Sequence, residues 1–189
     1  FKPGKNTTMS QLTVAVVVGS IRKDSYNRQF AEALVKQLPA DFKAQFIRID
    51  DLPLYNQDDD NNPAPQVTRL REEIKAADAV LFATAEYNRS IPGVLKNAID
   101  HASRPWGKSV WGGKPVGVVG VSVGAAGTCM AQQHLRNVLS SLNMPQLGQP
   151  EMFIQLKEGL VMDGAIGPHT ETFAPQYVAN SPTQRNNQA

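Results

Sequence analysis

Apolar residues fall along this chain in short runs rich in β-branched side chains, separated by stretches in which they recur every three or four positions. The first run, Leu12 to Val18, ends at Gly19 and carries almost no polar residue, the pattern of a strand covered on both faces. Phe30, Ala31, Leu34, Val35 and Leu38 then recur at helical spacing until Pro39 stops them. Alternation returns from Ala44 to Ile49, and Asp50-Asp51 open an acidic, Pro/Asn-rich stretch that reaches Pro65, which predicts a second strand feeding a long loop. Val67, Leu70, Ile74 and Ala77 predict a second helix, and Ala79 to Thr84 a third buried strand. Pro92 suits the first position of a third helix, where its missing N–H costs nothing, and Leu95, Ala98, Ile99 and Ala102 supply that helix's stripe as far as Ser103. Lys114 to Ser122 predicts a fourth strand, Leu135, Val138, Leu139 and Leu142 a fourth helix, and Glu151 to Leu156 a fifth strand. Beyond Lys157 the periodicity decays, and Pro168, Pro175 and Pro182 interrupt any long helix.

Five strands alternating with helices predict an α/β fold, a doubly wound five-stranded parallel sheet with right-handed crossovers and helices on both faces. Ligands of such sheets bind beyond the carboxyl ends of the strands, where the winding reverses. The loops after strands one, three and four should therefore converge. A single domain is expected over 9–175, with 1–8 a leader or arm ahead of Met9 and 176–189 a polar tail.

Composition narrows the function classes more than the fold. With 189 residues, 41% of them hydrophobic and 19% charged, the chain can bury a full core without staples. The net charge is +2, and Lys and Arg are scattered instead of grouped with aromatics, which argues against a nucleic-acid face. No apolar run approaches the ~20 residues of a membrane span, and the N-terminus lacks a signal-peptide core. The single Cys129 excludes an internal disulfide framework, and His101, His134 and His169 are too far apart to suggest a metal site. A cytoplasmic location is the expectation.

Candidate chemistry concentrates in Gly19 to Arg28. Ser20, Ser25, Asn27 and Arg22 all offer donors there, and the helix that follows adds free N–H groups and a positive dipole end. Such a set suits a phosphate monoester; the Gly-Lys-Ser/Thr ending that nucleoside triphosphates need is missing. Ser20, Ser25 and Asn27 are equally good helix-capping residues, and Arg22 is what tips the stretch toward an anion. The loops at Thr84–Ile91 and Val121–Thr128 carry small and hydrogen-bonding residues rather than a triad or metal cluster, as a cofactor cradle would.

The residues Gly19-Ser20-Ile21-Arg22 with Ser25 and Asn27, then Glu86-Tyr87-Asn88-Arg89-Ser90-Ile91-Pro92-Gly93 running into Leu95-Lys96-Asn97-Ala98-Ile99-Asp100, resemble the NADPH-dependent FMN reductase family, most of all its bacterial quinone and chromate reductases. The resemblance covers about Leu12 to Leu156. It implies a flavodoxin-like fold, bound FMN, NADPH or NADH as hydride donor, and a homodimer or homotetramer. It further implies a ping-pong cycle that reduces quinones or other acceptors such as chromate or azo compounds, with no catalytic side chain. Ser20, Arg22, Ser25, Tyr26 and Asn27 would match the phosphate loop, Glu86, Tyr87 and Asn88 the loop against the isoalloxazine, and Ser122 and Gly124 the third wall. Two departures stand out: Ala85, where the family usually has proline, and the proline-broken tail.

Two other classes compete. Gly120-Val121-Ser122-Val123-Gly124 fits the G-x-S-x-G nucleophile elbow of a serine hydrolase, with Asp163 and His169 following in the right order. A non-enzymatic flavodoxin-type electron carrier is the third possibility, although the strong acidity usual for one is absent at a pI of about 8.7. Trp106 and Trp111 are placed at the site mouth or a subunit contact, and Arg136 and Glu151 on a solvated face or a contact.

Overall fold

Strand β1 (Leu12–Gly19) is the spine of the molecule, because its side chains alternate between two separate apolar layers. The computed structural model describes residues 11–168. Val14, Val16 and Val18 belong to one layer, Ala15 and Val17 to the other. β1 pairs with β2 (Phe42–Ile47) on one side and with β3 (Ala79–Thr84) on the other, and β4 (Val116–Ser122) and β5 (Met152–Gln155) continue the sheet beyond β3. All pairings are parallel, in the order β2-β1-β3-β4-β5, which is the flavodoxin-like order with its winding reversal at β1 and β3.

Four helices cover the two faces. Phe30 and Leu34 of α1 (Tyr26–Val35) fill the first layer. The second layer takes Leu70 and Ile74 of α2 (Pro65–Ala76), Leu95 and Ile99 of α3 (Gly93–Ala102), and Leu135 and Leu139 of α4 (Cys129–Ser141). Each of these side chains is almost fully buried and contributes about 1.5–3 kcal/mol of transfer free energy. The expected doubly wound α/β architecture is present.

The departures from expectation have local causes. β2 lies two residues upstream, since Phe42 pairs with Leu12 in the ladder and is itself buried. Pro92 is the N-cap of α3, not its first residue, and its carbonyl accepts from the N–H groups of Leu95 and Lys96. Lys114 stays outside β4 because its ammonium closes α2, donating to the carbonyls of Lys75 at 3.1 Å and Ala77 at 2.6 Å. A hairpin follows β5, formed by β6 (Val161–Met162) and β7 (Ala165–Ile166). Its arms are too short to register as alternation, but its Asp163-Gly164 turn, with φ of 50° and 71°, is a recognised hairpin dipeptide. Leu160 and Ile166 bring this hairpin onto the α1 layer.

Trp111 is fully buried, its indole N–H donating to the Ile99 carbonyl at 3.0 Å beside Phe82. It is therefore a core residue and lines neither a site mouth nor a contact. Trp106, at 88% exposure, stays outside. Arg136 is only partly exposed, with Nη1 donating to the Leu147 carbonyl and Nε 3.7 Å from Glu151, so the solvated-face reading does not hold for it.

Candidate active site

Parallel strands of matched register bring their following loops to one edge, and here β1, β3 and β4 do so tightly. Gly19 lies opposite Thr84 in the ladder, and its carbonyl accepts from the Ala85 N–H at 3.4 Å. Gly120 must lack a side chain, because a Cβ there would collide with Thr128 Oγ1 and the Thr84 carbonyl. Gly127, at φ 58°, turns the chain where a Cβ would meet the Phe153 carbonyl carbon at 2.6 Å.

The first loop ends on Ser25, the N-cap of α1. Ser25 Oγ accepts from the Arg28 N–H at 3.3 Å and its carbonyl accepts from Gln29 at 3.1 Å. The amides of Tyr26 and Asn27 are left without an acceptor among the described residues, at the positive end of a helix with no acid in its first turn. Arg22 is exposed and held over that turn: its Nη2 donates to the Asp24 carbonyl, and its guanidinium lies 4.5 Å from the Tyr26 ring centroid. Ser20 is half-buried at the loop's start.

Asn27 requires a correction. Its side chain is only 4% exposed, and its amide donates to the Val121 carbonyl at 3.0 Å while its Oδ1 accepts from the Val121 N–H at 2.8 Å. The side chain expected on a phosphate instead ties the start of α1 to the end of β4. Only the backbone N–H of Asn27 remains for an anion.

The second loop is a tight hairpin. Tyr87 and Ser90 exchange two backbone hydrogen bonds of 3.0 Å across Asn88 and Arg89. Glu86 is half-buried, and its Oε2 accepts from the Ala131 N–H at 3.0 Å, in the first turn of α4. Ser90 Oγ shares a 3.0 Å hydrogen bond with His134 Nδ1. Ala131 carries no signal in the sequence, and His134 is weighed there only as a metal ligand, because each meets the loop across 44 or more residues of chain. In the third loop Ser122 Oγ accepts from the Gly124 N–H at 3.2 Å, and the Gly124 carbonyl accepts from Gly127 at 3.0 Å.

Around these donors the three loops and the starts of α1 and α4 leave apolar side chains uncovered: Ile21, Tyr26, Tyr87, Val123 and Met130 are all exposed. Unpaired amides, two hydroxyls and a guanidinium suit a phosphate, and an apolar rim suits a flat ring. The residues present fit FMN.

Among the described residues no triad surrounds the elbow at Ser122. Asp163 sits in the β6–β7 turn, whose Gly164 carbonyl accepts from Lys36 at 2.6 Å. Lys36 caps the far end of the 10-residue α1, about 15 Å from its start, so Ser122 and Asp163 lie at opposite edges of the sheet. His169 is outside the described residues.

The model of a family described as NADPH-dependent FMN reductase matches residues 12–159. The chain belongs to the NADPH-dependent FMN reductase family. This FMN reductase family member is 49% identical over 175 residues to the 2-hydroxy-1,4-benzoquinone reductase of a Burkholderia species, across 89% of this chain and 95% of that one. It is 47% identical over 173 residues to a quinone reductase of Pseudomonas putida, across 90% and 93% of the two chains. Among solved structures, the NAD(P)H:(acceptor) flavoenzyme FerB of Paracoccus denitrificans superposes with a TM-score of 0.84 at 40% identity, across 88% of this chain and 93% of that one. The reductase is thus an oxidoreductase that uses FMN and a nicotinamide nucleotide. Neither the hydrolase nor the simple electron carrier describes it.

Proposed function

We propose that this FMN reductase passes reducing equivalents from NADPH or NADH through FMN to quinones. Support comes from the meeting, at one sheet edge, of the unpaired Tyr26 and Asn27 amides, Arg22 and a rim of exposed apolar side chains, together with the quinone reductases among the relatives. FMN, when bound, supplies the hydride chemistry, and the chain supplies position and electrostatics.

Ser20 and Ser25 hydroxyls, the Arg22 guanidinium and the amides of Tyr26 and Asn27 hold the phosphate. Glu86, Tyr87 and Asn88 present backbone groups to the ring, and Ser122 and Gly124 close the third side. Ile21, Tyr87, Val123 and Met130 offer an exposed apolar rim with no specific polar contact for an acceptor, and we extend the acceptor range from quinones to azo compounds and chromate. Trp106 with Ile99, Val138 and Leu142 lines a groove of about 600 Å³ between α3 and α4, a surface suited to a homodimer or homotetramer. The single Cys129 accords with a cytoplasmic enzyme.

The purified protein is expected to be yellow, bleached by NADPH and recoloured by 1,4-benzoquinone. In Arg22→Ala, FMN affinity should fall about tenfold or more, the loss of one charge-assisted hydrogen bond, with the apo-protein's melting temperature unchanged. A colourless wild-type protein, or wild-type FMN affinity in the variant, would refute the assignment.

A further inference from the structure

The hairpin that carries Tyr87 and Asn88 is strained, and what holds it comes from another element. Asn88 and Arg89 both adopt left-handed backbone, with φ of 52° and 63°. Two-residue hairpins of this kind normally place glycine at the second position. An arginine there costs about 1–2 kcal/mol. Such a turn keeps its shape only if its surroundings fix both ends.

Both ends are fixed to α4. On the entering side Glu86 Oε2 accepts from the Ala131 N–H at 3.0 Å. On the leaving side Ser90 Oγ is bonded to His134 Nδ1 at 3.0 Å. Ala131 and His134 stand three residues apart on one face of the helix. Met130, one residue from Ala131, belongs to the exposed apolar rim, and so does Tyr87 inside the hairpin. The clamp therefore joins the two segments that contribute Tyr87 and Met130 to that rim. The Glu86 carboxylate also places a negative charge on the positive end of α4, and α4 has no acid of its own in its first turn.

We propose that Glu86 and His134 are positioning residues for hydride transfer: together they lock the strained Tyr87–Ser90 turn onto α4, and the Glu86 charge in addition disfavours electron build-up on the ring. This rests on the reading that the turn faces the isoalloxazine of FMN. Glu86 acts through the turn and the helix end, and His134 acts through Ser90.

The test uses FMN-loaded enzyme with the variants Glu86→Gln, Glu86→Ala, His134→Ala and His134→Asn. The FMN midpoint potential is measured by spectroelectrochemical titration, and kcat and KM with NADPH and 1,4-benzoquinone. Glu86→Gln keeps an acceptor for the Ala131 N–H but loses the charge, so its potential should shift upward. Glu86→Ala should shift the potential the same way and lower kcat by about 10- to 100-fold, the scale of a misplacement near 1 Å. His134→Ala should lower kcat with the NADPH KM unchanged, and His134→Asn, whose amide can meet Ser90 Oγ, should restore it. Wild-type potential and kcat in both Glu86 variants, with only a lower melting temperature, would reduce Glu86 to a helix cap and overturn the proposal. Unchanged kcat in His134→Ala would overturn the second half of the clamp. Wild-type protein that retains no FMN would instead overturn the functional reading beneath it.

Discussion

At the scale of single residues, the side chains that looked like ligands divide into those that remain available and those already committed to the protein. Ser20, Ser25 and Asn27 are conspicuous in the sequence because short polar residues after a glycine suit both caps and anions, and Glu86 because it opens the Glu86–Gly93 block that carries the family resemblance. What sequence could not supply was the partner. Asn27 meets Val121 across 94 residues, and Glu86 meets Ala131 across 45. Both bonds depend on which strands lie side by side. Removing the Asn27 side chain leaves a buried N–H and carbonyl of Val121 unpaired, at about 1–3 kcal/mol each. Asn27→Ala should therefore destabilise the apo-protein by about 2–6 kcal/mol, lowering the melting temperature by about 4–24 °C. Calorimetry checks this, and it separates Asn27 from Arg22, whose loss should affect FMN affinity alone.

At the scale of elements, type and order were legible because each buried face repeats its own period. β1 and β3 are short apolar runs with nearly every residue buried, and the four helices carry stripes at helical spacing. Boundaries were less legible, since they depend on caps contributed from elsewhere. Lys114 illustrates this: it looks like the first residue of a strand, yet its ammonium binds the carbonyls at the C-terminal end of α2. Burial pushes its ammonium below the ordinary lysine range, and the carboxylate of Asp78 partly offsets that. Lys114→Ala should cost about 1 kcal/mol, the net worth of such hydrogen bonds. In a chain of this size that is a fall of about 2–4 °C in melting temperature, read by circular dichroism at 222 nm, a standard helix signal.

For the whole molecule, the strand order decides where chemistry can occur. With β1 flanked by β2 and β3, the helices leave opposite faces on either side of it, and the gap between them falls beside Gly19, Thr84 and Ser122. That much followed from the alternation of strands and helices, and the identity of the guest came from the Glu86–Gly93 block. A ligand held by all three loops favours only the fully assembled sheet. FMN at 100 times its dissociation constant should add about 2.7 kcal/mol to stability, raising the melting temperature by about 5–11 °C in a thermal scan. Riboflavin, which lacks the phosphate, should raise it less. The Asn27–Val121 bond also has a meaning in time. A ribosome adding about 5–20 residues per second takes roughly 5–20 s to travel the 94 residues between those partners. Throughout that interval the phosphate loop has been made but the partner that braces it has not, so a site that needs all three loops cannot be complete before residue 121 has been added.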